Sequence, residues 1–243
     1  MAPFWRLALE IRRAGESENP ERTLLTLCDA VEATVLTAAP RIARQFGKAL
    51  AAGRRAEVVT YSYSSTVLRA ILHARASIAR VYCSECRPEL EGRKMARLLA
   101  RAGVPVTFVA DACLPMYVAS PADRKRRLIV ATGADAVLPD CYLNRTGTGA
   151  LLACAHEHGV PFWILTDTLK FAPAGFPHGA DGYEPWRNRV WPGHPRNVEV
   201  RNVILSAVPY RPGIRFLTER GPMRLPRVRA EIRRLASAIS RTD

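Results

Sequence analysis

Chemistry in this sequence is concentrated in short polar stretches that close apolar runs. Asp135 follows Gly133-Ala134, and Asn144-Arg145-Thr146-Gly147-Thr148 leads into an apolar helical segment. Free N–H groups at a helix start, a glycine and a nearby arginine form a pocket for an anion, most naturally phosphate. Gly147-Thr148-Gly149 lacks the third glycine, at 152, of a dinucleotide fingerprint, so an ordinary capped helix accounts for the local pattern equally well. Tyr61-Ser62-Tyr63-Ser64-Ser65 opens another helix, and its hydroxyls either hold phosphate or cap that helix. Cys83 and Cys86 have C-x-x-C spacing, but Cys83 falls inside a strand-like run and no second pair completes a zinc site. His73, His156, His158, His178 and His194 show no metal spacing; His156-Glu157-His158 reads as charged helix surface. Arg124-Lys125-Arg126-Arg127 reads as a solvated loop rather than a nucleic-acid patch, because aromatics are 7% and do not interleave with basic runs.

The elements that must position these groups alternate. Strands are predicted at 56–62, 79–85, 104–111, 160–167 and 199–209, with one or two more in 127–139. Helices are predicted at 64–77, 91–103, 146–159 and 225–240. Fully apolar strand centres suit a parallel sheet covered on both faces. The fold class is therefore α/β, a Rossmann-like parallel sheet with helices on both faces, preceded by a short helical N-terminal segment. That segment (1–55) contains one helix over 21–52, with Leu24, Leu25, Leu27, Cys28, Val31, Val35 and Leu36 at helical steps. Pro40 is expected to break or kink it, and Gly53 to close it. Residues 56–243 form the second unit. Ligands of such sheets sit outside the carboxyl ends of the strands. The candidates are thus residues 62–65, 85–88, 111–113, 135–145 and 167–170. Residues 172–200 hold five of the 18 prolines and form a long irregular insertion.

Composition narrows the partners. The 243 residues are 48% hydrophobic and 24% charged, which argues against long disorder. Lys plus Arg is 36 against 22 acids, a net +14, so anions are the expected partners. No uninterrupted run of 18 apolar residues and no small-residue cleavage site occur, so neither a membrane span nor a signal peptide is expected. Six cysteines are too sparse for a disulfide scaffold, and reduced thiols in the cytoplasm are expected.

Five segments together resemble one superfamily: VVTYSYSSTVL, SECRPELEGRKMARLLARAGVPVTFVAD, GADAV with NRTGT, GVPFWILTDTLKF and NVILSAVPYRPGIRFLTERG. It is the superfamily of the eukaryotic initiation factor 2B regulatory subunits, with methylthioribose-1-phosphate isomerase and ribose-1,5-bisphosphate isomerase. The resemblance covers roughly residues 56–222. It implies a Rossmann-like domain after a helical one, in dimers or higher oligomers. Its enzymes interconvert aldose 1-phosphates and ketose 1-phosphates with a Cys and an Asp, and use no metal or nucleotide cofactor. Its non-catalytic members bind sugar phosphates or act as assembly subunits in translation initiation. Carried over by position, the catalytic Asp is Asp135, and the catalytic Cys position holds Ser62. Phosphate and hydroxyl contacts fall on Ser64, Asn144, Arg145 and Lys170, with Gly147 and Thr148 at the helix start. Glu85, Arg87 and Gly92 belong to the E-x-R-P-x-x-x-G loop, which is partly structural.

The sequence departs from that pattern. A serine hydroxyl is less acidic and less nucleophilic than a thiol, so Ser62 favours a binding role or altered chemistry. Cys141 or Cys113 could stand in for the missing thiol. Only about 55 residues precede the first strand, so Arg41, Arg44, Arg54 or Arg55, or a neighbouring subunit, would replace the family's N-terminal phosphate-binding arginines. Two functions follow from the resemblance: an aldose–ketose isomerase, or a non-catalytic module sensing a sugar phosphate or nucleotide. Association with nucleic acid through the +14 charge is the third and least favoured.

Overall fold

The computed structural model describes residues 11–12, 14–119, 127–176 and 189–240. Helix α1 (Pro20–Ala51) opens on Asn19, whose side chain accepts from the Arg22 N–H at 3.1 Å, with Pro20 in the first turn. It runs through Pro40 without a break. A helical proline removes one donor and crowds the carbonyl four residues earlier. Here that carbonyl belongs to Leu36, which is 65% exposed, so water can serve it. Only the C-terminal part of α1 is packed, through Ala38, Ile42, Ala43, Phe46 and Leu50. Leu25 and Val35, two of the residues that mark the helix in the sequence, are 61% and 60% exposed. By length and composition α1 could cross a membrane, with a window of mean hydropathy 1.2 that is 6% buried. The expectation drawn from uninterrupted apolar runs is corrected to that extent. Arg127 ties the other end of α1 down by donating to the carbonyls of Ala49, Leu50 and Ala52.

The α/β unit alternates β1 (Ala56–Val59), α2 (Ser65–His73), β2 (Ile78–Ser84), α3 (Glu91–Arg101), β3 (Val106–Val109), α4 (Leu114–Ala119), β4 (Arg127–Thr132), β5 (Ala136–Val137), β6 (Cys141–Arg145) and α5 (Thr148–Glu157). It ends with β7 (Phe162–Leu165), β8 (Leu205–Pro209), β9 (Arg215–Thr218), β10 (Gly221–Arg224) and α6 (Leu225–Ser240). The main sheet has the order β10-β9-β7-β4-β1-β2-β3, all parallel except β10. This is a Rossmann-like, doubly wound sheet. Alternate residues of one strand serve opposite cores: Phe162 and Ile164 join α4, α5 and α6, whereas Trp163 and Leu165 join α1, α2 and α3. Burial on both faces explains why the strands read as continuous apolar runs.

The chain moves one way from β1 to β3 and the other way from β4 to β9. The carboxyl ends of β1 and β4 therefore flank the switch point where such sheets bind ligands. A second antiparallel sheet, β5-β6-β8, stands beside that point. The expected strand over 199–209 is reduced to β8, and it pairs with β6 rather than with the main sheet. Neither β6 nor the β9–β10 hairpin is predicted from the sequence.

Candidate functional site

At the switch point lies a cavity of about 650 Å³. Tyr61 to Thr66, after β1, form one wall, and Gly133 to Asp135, after β4, form the facing one. The β5–β6 hairpin contributes Asn144 and Arg145, and the turn after β7 contributes Lys170. Arg189, Ile204 and Leu205 also line the cavity, with Glu89 from the loop after β2 and Glu91 from the first turn of α3. Asp135, Ser62, Ser64, Asn144, Arg145 and Lys170 therefore share one hollow.

Close approach fixes these walls. A Cβ on Gly133 would lie 2.7 Å from the Ser64 Oγ, so glycine lets the two crossing loops touch. Ser64 caps α2 by accepting from the Val67 N–H at 3.3 Å. Gly92 packs against backbone: its Cβ would lie 1.6 Å from the Ser84 carbonyl oxygen. Asp111 holds the loop after β2, accepting the N–H groups of Cys86 and Arg87 at 2.8 Å each. Ser62, Cys86 and Leu90 adopt left-handed backbone conformations, with φ of 66°, 56° and 61°. Non-glycine residues rarely do so, and strain of about 1 kcal/mol each persists where the surroundings enforce it, often at functional sites.

The electrostatics are mixed. Arg145 pairs with Glu91 twice, Nη2 to Oε1 at 2.6 Å and Nε to Oε2 at 2.9 Å, and its Nη1 lies 3.9 Å from Glu89 Oε2. Burial works against the Arg145 charge, but Glu91 and then its other anionic neighbours outweigh it and push its pKa up. Ser62 Oγ donates to Glu91 Oε2 at 2.9 Å. Lys170 Nζ donates to the Ala134 carbonyl at 2.7 Å and so stands beside Asp135. Asp135 is exposed to the cavity, and the partial desolvation by its walls raises its pKa against the pull of Lys170 and Arg145. A carboxyl beside a lysine and an arginine on a cavity wall is placed to exchange a proton with a bound molecule.

Other expectations are corrected. Glu85 and Arg87 do not line the cavity; Glu85 pairs outward with Arg87 and Arg93 at 2.9 and 3.0 Å. Gly147 and Thr148 also lie behind the wall. A Cβ on Gly147 would meet the Tyr61 hydroxyl, and Thr148 Oγ1 donates to the Arg145 carbonyl at 2.7 Å while accepting from Asn144 Nδ2. The helix start that faces the cavity is that of α2. Cys141 and Cys113 are not in the lining; the thiol beside Ser62 is Cys86, a buried group whose pKa burial pushes up. Cys83 is buried in β2 and pushed up to about 12. Arg41, Arg44, Arg54 and Arg55 precede β1 and do not line the cavity, and Arg55 donates to the Ile78 carbonyl. Arg189, inside the irregular 172–200 stretch, is the extra cation in the lining. No metal-ligating cluster occurs among the described residues, and Arg124 to Arg126 and His178 lie outside them.

A doubly wound sheet with a polar, two-signed cavity at its switch point has the architecture in which such folds place their ligand sites. The chain belongs to the Initiation factor 2 subunit family, whose pattern matches residues 5–221. An eIF-2B subunit 2-like protein of Pyrococcus horikoshii is 30% identical over 173 residues, 70% of this chain and 58% of that protein. The ribose 1,5-bisphosphate isomerase of Methanocaldococcus jannaschii is 25% identical over 210 residues, 84% of this chain and 66% of that enzyme. The chain thus spans 58% to 66% of the length of these curated relatives. The solved translation initiation factor eIF-2B of Pyrococcus horikoshii OT3 superposes with a TM-score of 0.73, covering 93% of this chain and 77% of that one at 24% identity.

Proposed function

We propose that the chain binds a sugar phosphate in the switch-point cavity and interconverts an aldose 1-phosphate and a ketose 1-phosphate. The observation that carries this reading is the grouping of Asp135, Ser62, Asn144, Arg145 and Lys170 around one hollow at the start of α2. The phosphate would sit against the N–H groups of that helix and Lys170. Asp135, whose pKa its surroundings raise, would exchange a proton with the C2 oxygen while one hydrogen moves between C1 and C2. Ser62, bonded to Glu91, would orient the C1 oxygen in place of a thiol. The rearrangement is internally redox-neutral, so no external reductant enters.

Ser62 also favours a second reading, a non-catalytic module that senses the same ligand, because no thiol lines the cavity among the described residues. Incubation with ribose 1-phosphate, methylthioribose 1-phosphate and ribose 1,5-bisphosphate, with ketose detection, separates the two. Turnover that Asp135→Asn abolishes and Ser62→Cys raises supports the isomerase. Thermal stabilisation by a sugar phosphate without turnover supports the sensor. No response to any of them refutes both.

The exposed apolar stripe of α1, including Leu25, Val35 and Leu36, supports an oligomer built through that helix.

A further inference from the structure

The phosphate-facing reading leaves one wall of the cavity unexplained. Glu89 lines it, and its side chain is only 9% exposed. Its Oε1 is fully buried and has no hydrogen-bond partner among the described residues. Its Oε2 is 3.9 Å from Arg145, too far for a hydrogen bond. Arg145 is already engaged by Glu91 on two nitrogens. A buried carboxylate oxygen left without a donor is costly, and folding alone does not require it. Such a group persists where its donor arrives with a ligand.

The ligand atom it awaits can be specified. A carboxylate only accepts hydrogen bonds, so the partner must carry an O–H or N–H. A second phosphate cannot serve. It offers acceptors and negative charge, and it would face Glu89 and Glu91 at close range. Sugar hydroxyls fit, because they donate while bringing no charge. The volume agrees: about 650 Å³ leaves room for a carbon skeleton beyond one phosphate group.

We infer that Glu89 reads a sugar hydroxyl and makes the site selective for a hydroxyl-bearing sugar monophosphate over a bisphosphate. This rests on the sugar-phosphate reading above and names the substrate class within it.

The test uses the full chain, wild type, Glu89→Gln and Glu89→Ala, with inorganic phosphate, ribose 1-phosphate and ribose 1,5-bisphosphate. Calorimetry gives the affinities and thermal unfolding the ligand-free stability. Wild type should bind ribose 1-phosphate about tenfold or more tighter than the bisphosphate. Glu89→Gln should lose about tenfold for ribose 1-phosphate, because a charge-assisted bond becomes a neutral one, and should narrow the preference over the bisphosphate. Its affinity for inorganic phosphate should stay as in wild type. Its ligand-free stability should stay equal or rise, since a buried carboxylate oxygen without a hydrogen-bond donor is removed. Glu89→Ala should give the same pattern more strongly in affinity. Unchanged ribose 1-phosphate affinity in both variants, or a fall in ligand-free stability of Glu89→Gln, overturns the role of Glu89 while leaving the sugar-phosphate reading in place. Failure of wild type to bind phosphate or either sugar ester overturns both.

Discussion

Removing Glu91 should destabilise the empty protein and strengthen its hold on phosphate. Glu91 makes two short bonds to Arg145, accepts from Ser62, and occupies the first turn of α3, where negative charge is favoured. Hydrogen bonds to charged groups contribute about 1.5–3 kcal/mol, but the Glu91 side chain is 37% exposed, so solvent screens the pair to about 1–2 kcal/mol. The helix-end position adds about 0.5 kcal/mol. Glu91→Ala should therefore cost about 2 kcal/mol, or about 4–8 °C in Tm for a chain of this size. The same change releases Arg145 from its strongest partner, leaving Glu89 and Asp135 as acidic neighbours. Inorganic phosphate should then stabilise the variant more than wild type, and added phosphate should recover part of the lost Tm. Thermal unfolding across a phosphate titration at fixed ionic strength reads both effects. Weaker phosphate stabilisation in the variant would show that Glu91 organises the anion site instead of competing for its arginine, and the reasoning would fail.

Three further outcomes follow from the geometry. Asp135 has a folded-state pKa above the usual 3.8, so its stabilising contribution is complete at low pH and is lost as pH rises through the folded value; Asp135→Asn should match wild type in acid and exceed it by less than about 1 kcal/mol near neutrality, in Tm measured against pH. Gly92→Ala forces a Cβ against the Ser84 carbonyl at 1.6 Å, and this backbone collision should cost about 3 kcal/mol or more in denaturant unfolding, while Gly15→Ala, with open space around it and no left-handed backbone, should cost far less. Replacing Leu25, Val35 and Leu36 with Gln should leave the unfolding of the α/β unit unchanged and lower the oligomeric mass seen by light scattering; an unchanged mass would remove α1 from the interface.

The fold was legible where periodicity and two-sided burial agree. Strands β1, β2, β4 and β7 read as apolar runs because both faces are covered, β3 reads so although it is an edge strand with Phe108 40% exposed, and α6 spans the predicted 225–240. Strand β6 stayed hidden because its five residues, Cys141 to Arg145, carry two polar side chains that turn toward a cavity instead of a core. The β9–β10 hairpin was missed because Arg215, Pro222 and Arg224 interrupt its apolar residues, so neither strand reads as a continuous apolar run.

The candidate site was legible on its cationic and hydroxyl side, since those residues follow strand ends in the expected order. Its acidic side was not. Glu89 and Glu91 follow β2, and in sequence they look like ordinary surface acids ahead of an amphipathic helix. What turns them inward is a chain of local constraints: Asp111 gripping two loop N–H groups, left-handed Cys86 and Leu90, and Gly92 pressed onto the backbone of Ser84. Glycine at 92 was visible as a motif element, but the acids it directs acquire meaning only when β1, β2 and β4 are laid side by side. Net charge misled for the same reason. The surplus of +14 belongs to the chain, whereas the lining offers Glu89, Glu91 and Asp135 against Arg145, Lys170 and Arg189. A cavity so balanced selects by where each charge stands, and under the sugar-phosphate reading proposed above its ligand presents an anion at one end and hydroxyl donors at the other.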